Sequence, residues 1–263
     1  MCGRFALRAR AEALAQQFGL DDVPRLPPRY NIAPGQQVAV VRAAPLPPAG
    51  PAPTRPGRPV RRLDRLRWGL VPFFAKAPDP GARMINARSE TVADMPAYRN
   101  AFRRRRCLLP ADGFFEWKRL DKRKQPYFLS LRDGRLFAFA GLWERWEGGG
   151  GQTVESCTIL TTAPNELVRP LHDRMPVILP EEAYDLWLDP EIRTVERLLG
   201  LLRPFPAERM LACPVETLVN NPANDDERCI RPAKVGPGGA PTDLFGSGGF
   251  PAAGGPQTRY VAW

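Results

Sequence analysis

Two apolar, aromatic-rich runs constrain this chain most: residues 126–131 (PYFLSL) and 135–142 (RLFAFAGL), with only Arg132, Asp133 and Gly134 between them. Such a link predicts an antiparallel hairpin, and both runs belong in the core. Further strand-like runs lie at 37–41 (QVAVV), 62–70 (RLDRLRWGL), 155–162 (ESCTILTT) and 175–179 (MPVIL), with a last candidate at 215–219. Helical stretches are fewer: 8–19, closing on Gly19, then 181–188 and 194–202. Residues 84–91 (MINARSET) have no clear period and read as loop or helix start, and the four arginines 103–106 as a solvated face or the flank of a strand. No βαβ alternation and no internal repeat appear. The expected fold class is therefore α+β: a single domain, mainly antiparallel β-sheet or barrel, with flanking helices.

Composition narrows the partners. Ordinary globular values, 43% hydrophobic and 25% charged over 263 residues, are enough for a core, and the formal net charge of +10 favours a polyanion, with nucleic acid foremost. Five cysteines without C-x-x-C spacing and a single histidine make no zinc pattern, so reduced thiols, no metal and a cytoplasmic setting are expected. No apolar run approaches the roughly 18 residues of a membrane span. The domain is placed at 2–232, with a flexible Pro-rich insertion at 43–60 and a Gly/Pro-rich, disordered tail at 233–263.

A few residues carry chemistry. If Met1 is removed, Cys2 presents an α-amine beside a thiol, and this 1,2-aminothiol condenses with an aldehyde to an imine that the sulfur closes into a thiazolidine. The alternative is a cysteine of no significance beside the start codon. Glu116, set among Phe114, Phe115 and Trp117, is either a proton shuttle with a carboxyl raised by its apolar neighbours or a solvent-facing acid between core aromatics. His172 is the one imidazole available for acid/base work, or else a surface histidine. Arg88 and Arg174 suit bidentate phosphate binding; Trp68 and Trp117 suit base stacking or core packing.

Seven motifs occur in order: MCGRF at 1–5, RYNIAPGQ at 29–36, RWGLVP at 67–72, INARSET at 85–91, GFFEW at 113–117, HDRMP at 172–176 and VNNPANDD at 219–226. In these the chain resembles the SRAP family, the SOS-response-associated peptidase domain proteins that process abasic sites in DNA. The resemblance implies covalent capture of the ring-opened sugar of an abasic site in single-stranded DNA by a thiazolidine on Cys2, shielding the lesion during the damage response. Asn86 would stand beside the reacting amine, Glu116 would act as acid and base in ring opening and reversal, and His172 would protonate or stabilise the sugar oxygen. Arg4, Arg88 and Arg174 would bind phosphates, and Trp117 would pack where the strand bends; Trp68, Pro34 and Thr162 are carried over as further DNA contacts. No cofactor is implied. The expected partner is single-stranded DNA with abasic sites, bound by a monomer in the cytoplasm and at the nucleoid. Removal of Met1, by the protein itself or otherwise, accounts for the peptidase label. A cysteine peptidase acting in trans and a non-covalent single-strand binding module are the competing readings.

Overall fold

A computed structural model of the chain describes residues 2–44, 60–78, 83–121 and 123–233. The insertion expected at 43–60 falls outside the described residues except for Ala43, Ala44 and Val60, and the expected tail falls outside except for Ala233. The strands, in chain order, are β1 (Phe5–Leu7), β2 (Arg29–Ile32), β3 (Gln37–Ala43), β4 (Arg61–Trp68), β5 (Asn86–Arg88), β6 (Arg106–Ala111), β7 (Gly113–Leu120), β8 (Arg123–Leu131), β9 (Phe137–Glu147), β10 (Thr153–Thr162), β11 (Met175–Pro176), β12 (Ile178–Leu179) and β13 (Met210–Pro214). Four short α-helices accompany them among the described residues: α1 (Ala11–Phe18), α2 (Arg99–Arg104), α3 (Tyr184–Leu188) and α4 (Val195–Leu199).

They form two sheets. One has the order β13-β8-β7-β1-β2; the other runs β11-β10-β4-β3-β6-β9-β12, with β5 beside β10. Because β9 also pairs with β10, strands β10, β4, β3, β6 and β9 close into a barrel, which leaves fewer open edges. Pairing is antiparallel except where β10 runs parallel to β4 and β5, so the α+β, mainly antiparallel expectation holds.

The hairpin expected across Arg132, Asp133 and Gly134 does not form. The turn itself is present: Gly134 has φ 70°, its amide donates to Leu131 O, and the Asp133 carboxylate accepts from the Arg135 amide and Nε. It passes the chain between sheets, because β8 pairs with β7 and β13 while β9 pairs with β6, β10 and β12. The physical reason lies one strand earlier. In β7 and β8, Phe115 faces Phe128 with ring centroids 5.0 Å apart, a pairing that the aromatic content of β9 matched equally well on paper. A Cβ on Gly113 would collide with the Phe128 ring and Leu129 O, so that glycine permits the close approach of β7 to β8.

Other departures are local. Residues 84–91 contain strand β5, which β10 recruits in parallel register (Ile159 to Asn86, Thr161 to Arg88). The last strand is β13, and residues 217–220 form a 3₁₀ turn instead of the expected strand. Arg106, the last arginine of the basic run, is buried and donates to the carbonyls of Phe102, Trp187, Asp189 and Ile192. A buried guanidinium is tolerable only with its donors satisfied, and these bonds fasten α3 and the loop after it to the barrel. Helix α1 starts later than expected, with Arg10 still extended, and ends on Gly19 at φ 61°, burying Leu14 and Phe18.

Phe5 joins the two sheets. Its ring meets Trp68 at 5.2 Å and Phe139 at 5.8 Å, both edge-on, and Phe139 in turn meets Phe114 and Phe137. Burying that one ring contributes about 1.5–3 kcal/mol and fixes the start of the chain between the layers.

Candidate functional site

The residues before β1 are held from three sides. Cys2 is fully enclosed, and its backbone carbonyl accepts from Asn86 Nδ2 at 2.9 Å. The pairing of β5 with β10 sets Asn86 in place, and Trp68 supports it by donating from Nε1 to the neighbouring Ile85 carbonyl at 3.0 Å. The other amide atom of Asn86, Oδ1, is buried and has no hydrogen-bond donor among the described residues. An acceptor left bare in this way costs stability unless a donor arrives.

Burial, first, and the Glu116 carboxylate, second, push the Cys2 thiol far above its ordinary value of 9.0; the chain's amino end and a weak Sγ–H bond to Arg4 O oppose them. The sulfur is thus held as a protonated thiol with its S–H directed to Arg4 O. Glu116 is itself buried on β7, with Oε1 accepting from the Trp117 amide at 3.2 Å.

Beside these groups lies a cleft of about 360 Å³ lined by Arg4, Glu116, Trp117, Arg119, Lys124, His172 and Asn220. His172 is about one-third exposed, and its Nδ1 sits 3.1 Å from the Arg174 amide and 2.6 Å from Asp173 Oδ1.

Arg4 is the structural tie of the cleft. Its Nη1 donates to Asn31 Oδ1 at 2.9 Å and Val219 O at 2.8 Å, Nη2 reaches Asn220 O at 3.5 Å, and the guanidinium lies 6.0 Å from the Trp117 ring centre. Burial lowers the Arg4 pKa from its ordinary value. Asn31, fully buried on β2, spends its Nδ2 on the carbonyls of Val219, Asn221 and Asn224, while Asp225 accepts from the amides of Tyr30 and Asn31 and pairs with Arg29. This clamp holds residues 219–225 against the start of the chain, and from that loop Asn220 Oδ1 accepts from Trp117 Nε1 at 2.7 Å.

Nine of the eleven expected residues fall into two groups. Cys2, Arg4, Asn86, Glu116, Trp117 and His172 stand in or directly beside the cleft. Arg88, Thr162 and Arg174 gather where β5, β10 and β11 meet: Arg88 is exposed, Thr162 is nearly enclosed opposite Met175, and Arg174 donates to Thr161 O at 2.6 Å and to both oxygens of Glu90 at 2.6 and 2.8 Å. Arg174 also lowers the Glu90 carboxyl below its ordinary value. Pro34 is half-buried in the turn between β2 and β3. Trp68 requires correction as a surface for DNA: its ring is fully buried against Phe5, so it offers no face to a base and bears on the site from within the core, through Phe5 and Ile85.

Sequence reasoning assigned no role to Asn31, Asp225 and Asn220, although all three lie in quoted motifs, and it passed over Glu90, Arg119 and Lys124. The signal for the last two was the turn between β7 and β8, which becomes legible only once those strands pair. Among the described residues no group of three or more His, Cys, Asp or Glu side chains is placed to hold a metal, and no helix is long and apolar enough to cross a membrane.

Comparison with known proteins identifies the family. The family model of the SOS response associated peptidase (SRAP) matches residues 1–222. The chain is 42% identical over 236 residues to the abasic site processing protein YoqW of Bacillus subtilis, covering 88% of this chain and 99% of that one. It is 36% identical over 201 residues to the abasic site processing protein HMCES of Gallus gallus, covering 67% and 59%. A crystal structure of a protein from Bacteroides thetaiotaomicron superposes with a TM-score of 0.75 at 25% identity, covering 89% of this chain and all of that one.

Proposed function

Since the chain belongs to the SOS response associated peptidase family, we propose that it processes abasic sites by trapping them covalently in single-stranded DNA through Cys2. One observation carries the reading: the backbone of Cys2 is fixed by Asn86, its thiol lies near the Glu116 carboxylate, and a cationic cleft opens beside both. The bare Asn86 Oδ1 is an acceptor suited to the α-amine that Cys2 carries once Met1 is removed.

The abasic sugar exists mainly as a cyclic hemiacetal. In the proposed sequence Glu116 takes the proton of the hemiacetal hydroxyl while His172 gives one to the ring oxygen, breaking the ring C–O bond and releasing the aldehyde. The Cys2 amine adds to the aldehyde carbon, and the carbinolamine loses water to an imine. Sulfur then bonds to the imine carbon as the thiol proton passes to nitrogen, directly or through Glu116. One water is lost overall and no oxidant or reductant is consumed. Fixing amine, thiol and carboxylate in one enclosed place supplies the proximity that two-step condensation needs. The adduct would shield the lesion, and reversal would run through the same acid and base.

The peptidase reading in trans lacks its usual partnership among the described residues, because the Cys2 thiol donates to Arg4 O and not to an imidazole. Intact-protein mass spectrometry tests the proposal. The expected result is a starting mass without Met1, then a gain equal to an abasic oligonucleotide less one water that survives denaturation and is absent in Cys2→Ala. Binding without a covalent gain, or full adduct formation by Cys2→Ala, overturns it.

A further inference from the structure

The face of β7 that carries Trp117 ends in two positive charges. Phe115, Trp117 and Arg119 alternate along one side of β7, opposite Phe128, Pro126 and Lys124 of β8. That side therefore runs from a buried aromatic pair, through an indole at the cleft wall, to two exposed cations directly across from each other. Like charges in this register are mutually destabilising. Neither side chain has a hydrogen bond or ion pair with a described residue, and both line the cleft, where three permanent cations face the single carboxylate of Glu116.

A larger cleft of about 670 Å³ between β4 and β10 holds more arginines, but it is largely self-neutralised. There Arg42 is taken by Asp64 and Glu155, Arg62 by Asp64, and Arg145 by Glu147. The Arg119–Lys124 pair has no such partners, so its unfavourable charge is left for a ligand to offset.

We propose that Arg119 and Lys124 form a phosphate-binding pair for the DNA strand flanking the trapped sugar, about 7 Å along the sheet from Trp117. This rests on the preceding reading of the cleft. Two residues of strand separate the aromatic ring from the cations, a reach of one to two nucleotides at the 3.4 Å rise of a stacked strand. A base or sugar packed on Trp117 thus leaves the next phosphates between the two cations, and the pair extends the site beyond the lesion toward the tip of the hairpin.

The test is the salt dependence of binding to a single-stranded oligonucleotide, with adduct formation on its abasic counterpart measured in parallel. Arg119→Gln/Lys124→Gln is expected to reduce the slope of log K against log salt by about 1.4, two phosphates at about 0.7 each. Arg65→Gln, on the other cleft, should leave it unchanged. The double variant should melt no lower than wild type because a like-charge pair has been removed. An unchanged slope in a protein that still crosslinks, or an equal drop in Arg65→Gln, overturns the pair. A wild-type protein that forms no adduct on the abasic strand counts against the cleft reading itself.

Discussion

Asn86 grips Cys2 by one atom and leaves the other bare: Nδ2 donates to the Cys2 carbonyl at 2.9 Å, while Oδ1 is enclosed without a donor among the described residues. Asn86→Asp keeps the acceptor and loses the grip; Asn86→Ala loses both. Adduct formation should slow by about 100-fold in Asn86→Ala, the scale of a misplaced reacting group, with little change in affinity for intact single-stranded DNA. Single-turnover kinetics alongside binding separates the two, and equal losses in both would make Asn86 a general structural residue.

Asn31 is expected to stabilise the fold and the site together. Asn31→Ala removes a buried amide that serves three carbonyls and Arg4. Leaving those groups without partners should cost about 3 kcal/mol or more in denaturant unfolding. Trp117 fluorescence should change as well, since the loop that offers Asn220 Oδ1 to the indole loses its anchor.

Glu90 holds the guanidinium of Arg174 that the proposed reading gives to a phosphate. Its carboxylate occupies both terminal nitrogens of the guanidinium, and Glu90→Gln removes that charge. Affinity for single-stranded DNA should rise by up to about fivefold, the equivalent of about 1 kcal/mol for a half-exposed ion pair. Titration at low salt measures it, and a loss of affinity would show that the pair is needed to orient Arg174.

Alkaline pH should unfold the protein through its thiols. Cys2, Cys107 and Cys157 are fully buried, and desolvation raises all three well above 9.0. Above pH 9 the unfolded chain releases these protons and the folded chain keeps them, so stability falls as pH rises, by up to about 1.4 kcal/mol per pH unit for each thiol. No such loss occurs below pH 8. Unfolding midpoints from pH 7 to 10 report it, and Cys157→Ala should be less stable at pH 7 yet show a shallower decline.

The fold class and most strands were legible because alternation and β-branched content report local preference. Partner choice was not, and the 126–142 region shows why: the turn at Gly134 forms as its residues dictate, while the strands on either side leave for different sheets. Strand β5 was illegible for a related reason, since three residues carry no period and owe their conformation to β10. In the candidate site, Cys2, Asn86, Glu116 and His172 were readable as residue types at motif positions, and the structure brings them together. Their support was not readable, because Arg4, Asn31 and Asp225 meet across nearly 200 residues of chain. Trp68 misled in the opposite direction: an indole in a motif suggests a ligand, and this one serves by filling the core.

The hydrogen bonds from Arg4 to the carbonyls of Val219 and Asn220 carry a consequence for synthesis on the ribosome. Arg4 waits for its partners, because the loop that receives it is translated some 215 positions later. Until then the clamp around Cys2 is incomplete, and truncated products ending before that loop lack it altogether. Closure of the cleft is thereby tied to synthesis of residues 219–220.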